Sequence, residues 1–189
     1  ESAVERYQDA LKINREIQNR QGESQNLESL GDVYHKLDRF ESAVESYQKA
    51  LEISRELSDR WAEGKHLNSV GLTYKGLEQW ETTIEYHRQA LDIFKEMGDQ
   101  TNEAVCLSNL GIAYQNLGQF ETAIKHHQQA LEIYEEIEDR ANECQQLTSL
   151  ADAYLETEKP EPAVAYGPLP LAITTPHVIG PGQHHIHRC

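Results

Sequence analysis

An all-α fold, an α-α superhelix built from stacked antiparallel helix pairs, is what this sequence predicts. Two observations carry that expectation. The chain repeats every 40 residues with no insertion or deletion, so Leu30, Val70, Leu110 and Leu150 share a column, as do Gly31, Gly71 and Gly111 and Tyr34, Tyr74, Tyr114 and Tyr154. A fixed period of 20–50 residues marks an array of supersecondary units rather than one central core. Within each period the apolar residues recur at helical spacing, which is the second observation.

Residues 21–60 show how one unit is written. Leu27, Leu30, Gly31 and Tyr34 fall 3–4 apart and share one face of a helix. Asp38-Arg39 interrupts the pattern, and it resumes as Phe40, Ala43, Val44, Tyr47, Ala50 and Leu51. The spacing predicts helices over 21–37 and 41–57. Asp59/Glu63, Asp99/Glu103 and Asp139/Glu143 each place a capping acid before a helix and a second acid in its first turn; Asn19/Glu23 does so with an amide. The predicted organisation is a half-unit over 1–20, units over 21–60, 61–100 and 101–140, and a partial unit over 141–166.

Gly31, Gly71 and Gly111 lie inside first helices, where glycine costs about 1 kcal/mol relative to alanine. Close approach of the second helix, through Ala43 and Ala123, is the expected return. Thr83 departs from that small column and is expected to loosen the second unit.

The run Leu30-Gly31-x-x-Tyr34 followed by Ala43, Tyr47 and Ala50 resembles the tetratricopeptide repeat, and it recurs in the next two units. Leucine (Leu27, Leu67, Leu107, Leu147) stands where the family has its leading tryptophan, and the period is 40 rather than 34. The longer unit is similar to the repeats of kinesin light chains, of Leu-Gly-Asn spindle-orientation scaffolds and of bacterial, notably cyanobacterial, signalling proteins. The resemblance implies a non-enzymatic scaffold whose first helices line a concave groove that takes a peptide or partner domain. The alternative it leaves open is a regulatory or sensory segment of a larger bacterial signalling protein. A purely structural spacer is a third reading.

Helical geometry selects the residues opposite the buried stripe as the partner face: Glu28, Asp32 and His35, then Asn68, Leu72 and Lys75, then Ser108, Ile112 and Gln115, then Thr148, Asp152 and Leu155. Leu72 and Ile112 at the centre, with Asp32 and Asp152 toward the ends, would suit apolar anchors flanked by basic residues.

Charge narrows the partners. The chain holds 32 acidic and 17 basic residues, a net charge of −15, with every acid at or before Glu161. Such a surface repels phosphate backbones, which argues against nucleic acid. No apolar run reaches the ~20 residues of a membrane span. Cys106, Cys144 and Cys189 are an odd, sparse set that does not read as a disulfide framework, so a reducing cytoplasm is the expected setting.

No catalytic group, cofactor or metal is expected in the array. His87 and His127 share the core column of Tyr7 and Tyr47 and are expected to be partly buried and hydrogen-bonded. Cys106 falls in a column of polar residues (Asn26, His66, Gln146) with no local base. The repeat breaks at Gly167, Pro168 and Pro170. The segment 167–189 is expected to be an irregular or disordered tail, foreign in character to the array. Its His184, His185, His187 and Cys189 have the residue types of a metal site without a framework to hold one. Loss of a terminal cap predicts end-to-end self-association.

Overall fold

The computed structural model describes residues 2–157. They form eight α-helices and, among the described residues, no strand: α1 (Ala3–Glu16), α2 (Arg20–Lys36), α3 (Phe40–Glu56), α4 (Arg60–Gly76), α5 (Trp80–Met97), α6 (Gln100–Asn116), α7 (Phe120–Glu136) and α8 (Arg140–Leu155). The end of the partial unit and the tail 167–189, with its histidines and Cys189, lie outside the described residues. Turns of three residues, two between α5 and α6, leave each helix no choice but to fold back on its predecessor. The most extensive packing joins α2 to α3, α4 to α5 and α6 to α7, and each pair then stacks on the next.

Every helix but the last described ends by the same device. Gln18, Asp38, Ser58, Glu78, Gly98, Gly118 and Glu138, one every 20 residues, take left-handed φ between 54° and 70°. The amide after each reaches back five residues, as from Arg39 to the Tyr34 carbonyl (2.9 Å) and from Gln79 to Tyr74 (3.0 Å), covering carbonyls the helix leaves bare. Glycine takes this conformation without strain, yet it stands at only two of the seven positions.

Helix starts follow two rules. First helices are capped by side chains: Asn19 accepts from the amide of Gly22 (3.0 Å), Asp59 from Ala62 (3.0 Å), Asp99 from Asn102 and Asp139 from Asn142 (both 3.1 Å). The second helices α3, α5 and α7, preceded by Arg39, Gln79 and Gln119, have no such bond. The first-turn acids do more than meet the helix dipole. Glu23 is held between Arg15 (2.7 Å) and Arg20 (2.6 Å), and Glu63 between Arg55 (2.9 Å) and Arg60 (2.6 Å). Burial would raise the Glu23 carboxyl, but the two guanidiniums outweigh it and hold it below the usual carboxylate range. A rung across each helix pair joins Arg20 of α2 to Glu56 of α3, Arg60 of α4 to Glu96 of α5 (2.8 Å) and, with an amide in place of the guanidinium, Gln100 of α6 to Glu136 of α7 (3.0 Å).

The core runs as a chain of linked clusters down the array, the largest around Leu67, Phe94, Leu107, Leu110 and Tyr134. The glycine column works differently from the expectation. A Cβ at Gly31 would stand 2.6 Å from the ring of Tyr47, at Gly71 2.9 Å from that of His87, and at Gly111 2.5 Å from that of His127. The space is reserved for the ring of the second helix, not for an alanine. Thr83 does not open the unit either: it is fully buried, although its hydroxyl finds no partner among the described residues.

Candidate partner-binding face

The first helices α2, α4, α6 and α8 meet one another across the units as well as their own partners. Contacts join α4 to α6 and α6 to α8. Lys65 of α4 pairs with Glu28 of α2 at 2.7 Å, Lys75 of α4 donates to Asn109 Oδ1 of α6 at 3.1 Å, and Gln115 of α6 donates to the Ser149 carbonyl of α8 at 3.4 Å. Such lacing along one side is what gives a stacked array its inner line.

Glu28, Lys75 and Gln115, among the residues selected from the sequence, take part in that lacing, and the selected set differs in how exposed it is. Asp32, Thr148, Asp152 and Leu155 are exposed, while Glu28, His35, Asn68, Leu72, Lys75, Ile112 and Gln115 are half-buried. Ser108 is buried, and its hydroxyl donates to the Ala104 carbonyl (2.8 Å), so it presents no group outward. The His35 ring meets Phe40 edge-on at 5.5 Å, and the Asn68 carbonyl oxygen lies 3.8 Å from the Cys106 sulfur. Thr148 donates to the Cys144 carbonyl (3.1 Å).

Several of these side chains also answer to the ring column of the second helices. Tyr47 donates its hydroxyl to Asp32 at 2.6 Å. One unit on, the ring is His87 and the residue in the Asp32 column is Leu72; in the third unit it is His127 and Ile112. Where the hydroxyl disappears, so does the acid. His127 has its own partners: Nδ1 lies 2.8 Å from Gln146 Oε1 and Nε2 2.9 Å from Gln115 Oε1. For the neutral ring one of those amides turns its NH2 inward, since only one ring nitrogen then carries a proton.

His87 occupies the same seat with neither amide. The Gln115 column holds Lys75 there, and the Gln146 column holds Cys106. Both His87 nitrogens are buried without a hydrogen-bond partner among the described residues, against the expectation of a bonded ring. Neither histidine is partly buried: both are 0% exposed, which leaves the imidazolium no water. Burial, and secondarily the Lys75 ammonium, push His87 down to about 3; burial also lowers His127, against the opposing hydrogen bond that its ring donates to Gln146. The unfolded chain therefore binds a proton at His87 that the fold refuses. Stability is at its full value above the ordinary histidine pKa of about 6.5 and falls as pH drops from there toward 3. Urea denaturation at pH 7 and pH 4.5 should show a smaller loss on acidification for His87→Phe than for the unaltered chain. An identical loss in both would remove His87 as a source of acid sensitivity.

One constellation has the residue types of a hydrolase. Ser54 Oγ lies 2.8 Å from His66 Nδ1, and His66 Nε2 lies 3.6 Å from Glu28 Oε2. Ser54 and His66 are each 1% exposed, so no substrate carbonyl can reach the hydroxyl, which also donates to the Ala50 carbonyl (3.0 Å). The group ties α3 to α4. The Glu28 carboxyl is held low by His66 and then by Lys65. Cys106 is likewise structural. Its column looked tolerant of polar residues, yet the side chain is fully buried, and burial, with Asp99 and Glu103 adding, pushes the thiol up to about 12. Among the described residues no three His, Cys, Asp or Glu side chains converge as a metal-binding group, and no helix is long and apolar enough to cross a membrane.

Sequence reasoning missed the pairing of the ring column with its amide and acid partners. Only the acid left a signal: the residue 15 positions before the ring is Asp32 for Tyr47 but Leu72 and Ile112 for His87 and His127, whereas the positions 12 before and 19 after differ between two identical histidines.

Comparison with known proteins agrees with this architecture. Among solved structures, BtubC (BKLC) from P. vanneervenii is similar at a TM-score of 0.78 and 21% identity, over 94% of this chain and 78% of that one. RapI in its apo form matches at 0.81 and 21%, over 87% of this chain and 46% of that one. The nearly identical repeats of a kinesin light chain from Podosopora anserina match at 0.72 and 17%, over 87% and 82%. At these identities the likeness speaks for the fold alone. No curated protein matches the sequence. The family model of the tetratricopeptide repeat matches residues 1–56, 63–136 and 107–167. With most of its length so matched, and with helix pairs stacked as that family stacks them, the chain belongs to the tetratricopeptide repeat family.

Proposed function

We propose that the array is a protein-interaction scaffold that receives a peptide or partner domain along the face of its first helices. The observation that carries this reading is the pair Leu72 and Ile112. Both are apolar, both remain partly open to solvent, and both lie in the middle of a face whose two ends expose Asp32 and Asp152. Apolar anchors at the centre of a contact supply most of its affinity, and rim charges select register and sign. The partner chemistry that fits is an apolar segment with lysine or arginine on both sides.

A display library of random peptides, selected on the immobilised array, tests it. Selected peptides should carry an apolar centre with basic flanks. They should bind the Leu72→Ala, Ile112→Ala double variant at least about tenfold more weakly, which is ~1.4 kcal/mol. Peptides that bind the double variant undiminished would place recognition elsewhere.

A further inference from the structure

The side of the array turned away from the first-helix face carries a groove that the later units do not need. It lies between α1 and α3, with α2 as its floor, and has a volume of about 500 Å³. Leu11, Leu27, Leu30 and Tyr34 give it an apolar floor, and Ser42 and Ser46 line one wall.

The repeat itself explains why the space is there. In the next unit Tyr86 of α5 stacks on Tyr74 of α4, with ring centroids 5.5 Å apart and planes 15° from parallel. In the unit after, His126 of α7 lies on Tyr114 of α6 at 5.1 Å and 33°. Forty residues before Tyr86 stands Ser46. Tyr34 therefore keeps the place of Tyr74 and Tyr114 but has no ring partner from its own second helix. The Ser46 hydroxyl is turned back onto its helix, donating to the Ser42 carbonyl at 2.8 Å. The Arg39 guanidinium lies 4.8 Å from the Tyr34 centroid, and the ring still lines the groove. The rim charges largely cancel: Lys49 is paired with Glu45 at 2.6 Å, and Arg15 with Glu23.

We propose that this groove is a binding site for one aromatic side chain of a partner protein. That side chain stacks on Tyr34 in the position that Tyr86 and His126 take on Tyr74 and Tyr114. An aromatic ring recovers both apolar burial and the offset stacking preference, and the neutral rim asks for no charge on the residue. The site is independent of the peptide face proposed above, because it opens on the opposite side of α2.

Two capped tripeptides, acetyl-Ala-Tyr-Ala-amide and acetyl-Ala-Leu-Ala-amide, serve as probes, followed by NMR of the whole chain with labelled tyrosine rings. The tyrosine peptide should shift the Tyr34 ring signals saturably, with nuclear Overhauser contacts to Leu27 or Leu30. The leucine peptide should bind at least about tenfold more weakly. Ser46→Ala should keep the binding, and Ser46→Tyr, which supplies the ring internally, should lose at least about tenfold. The contacts from the bound tyrosine to Leu27 or Leu30 are read on the unaltered chain and need no variant to fold. Equal binding of the two peptides, shifts spread evenly over Tyr34, Tyr74 and Tyr114, undiminished binding by a folded Ser46→Tyr chain, or no shift at Tyr34 would each overturn the proposal.

Discussion

Replacing Gly111 with alanine should destabilise the array by about 1–3 kcal/mol, and valine at the same position by more. The direction runs against helix propensity, which favours alanine over glycine by about 1 kcal/mol. The new Cβ would stand 2.5 Å from the Cε1 and Nε2 atoms of His127. That ring cannot step aside, because Gln146 and Gln115 hold it from two directions and it is fully buried. At Gly71 the gap is wider, 2.9 Å, and the facing His87 ring has no hydrogen bonds to hold it. Gly71→Ala should therefore harm less than Gly111→Ala. Urea midpoints of the two variants check the order. A Gly111→Ala chain as stable as its parent would mean that the ring seat is looser than the distances state.

The two buried histidines should respond with opposite sign to the same substitution. His127→Phe strands the Gln146 amide, itself 2% exposed, together with the inner side of Gln115. A buried polar group left without a partner costs about 1–3 kcal/mol. His87→Phe instead removes two ring nitrogens that are buried and unpartnered, so it should leave stability unchanged or raise it by about 1 kcal/mol. Thermal denaturation of both variants at pH 7 makes the comparison. The pairing scheme fails if the two midpoints move together.

These two expectations show where the sequence was readable and where it was not. The helices could be read because a 40-residue period repeats the same apolar stripe several times. The observed starts at 20, 40, 60 and so on fall one residue before the expected ones. The asparagine and aspartate caps were readable for a local reason, since each bonds a backbone amide three residues away. The ring column was not. His87 and His127 look equivalent in the sequence, and only the fold brings Gln115 and Gln146, on two different helices, to one of them and Lys75 and Cys106 to the columns around the other. The partner face was readable as a direction on the first helices. Its occupancy was not, because Ser108 turns inward through a bond to its own helix and Asp32 is engaged by Tyr47.

The reach of each contact along the chain has a mechanical consequence. The described helices pack on their immediate predecessors and successors, with only the first helices of successive units adding a longer touch. Pulled from its two ends, such a molecule has no distant seam that must rupture before the rest can give way. It should lengthen by shedding helices one after another from the ends, at many small forces rather than one large one. On release it should wind back quickly, because every lost contact lies close along the chain. A partner lying across several first helices would clamp them together and turn that compliant spring into a stiff one.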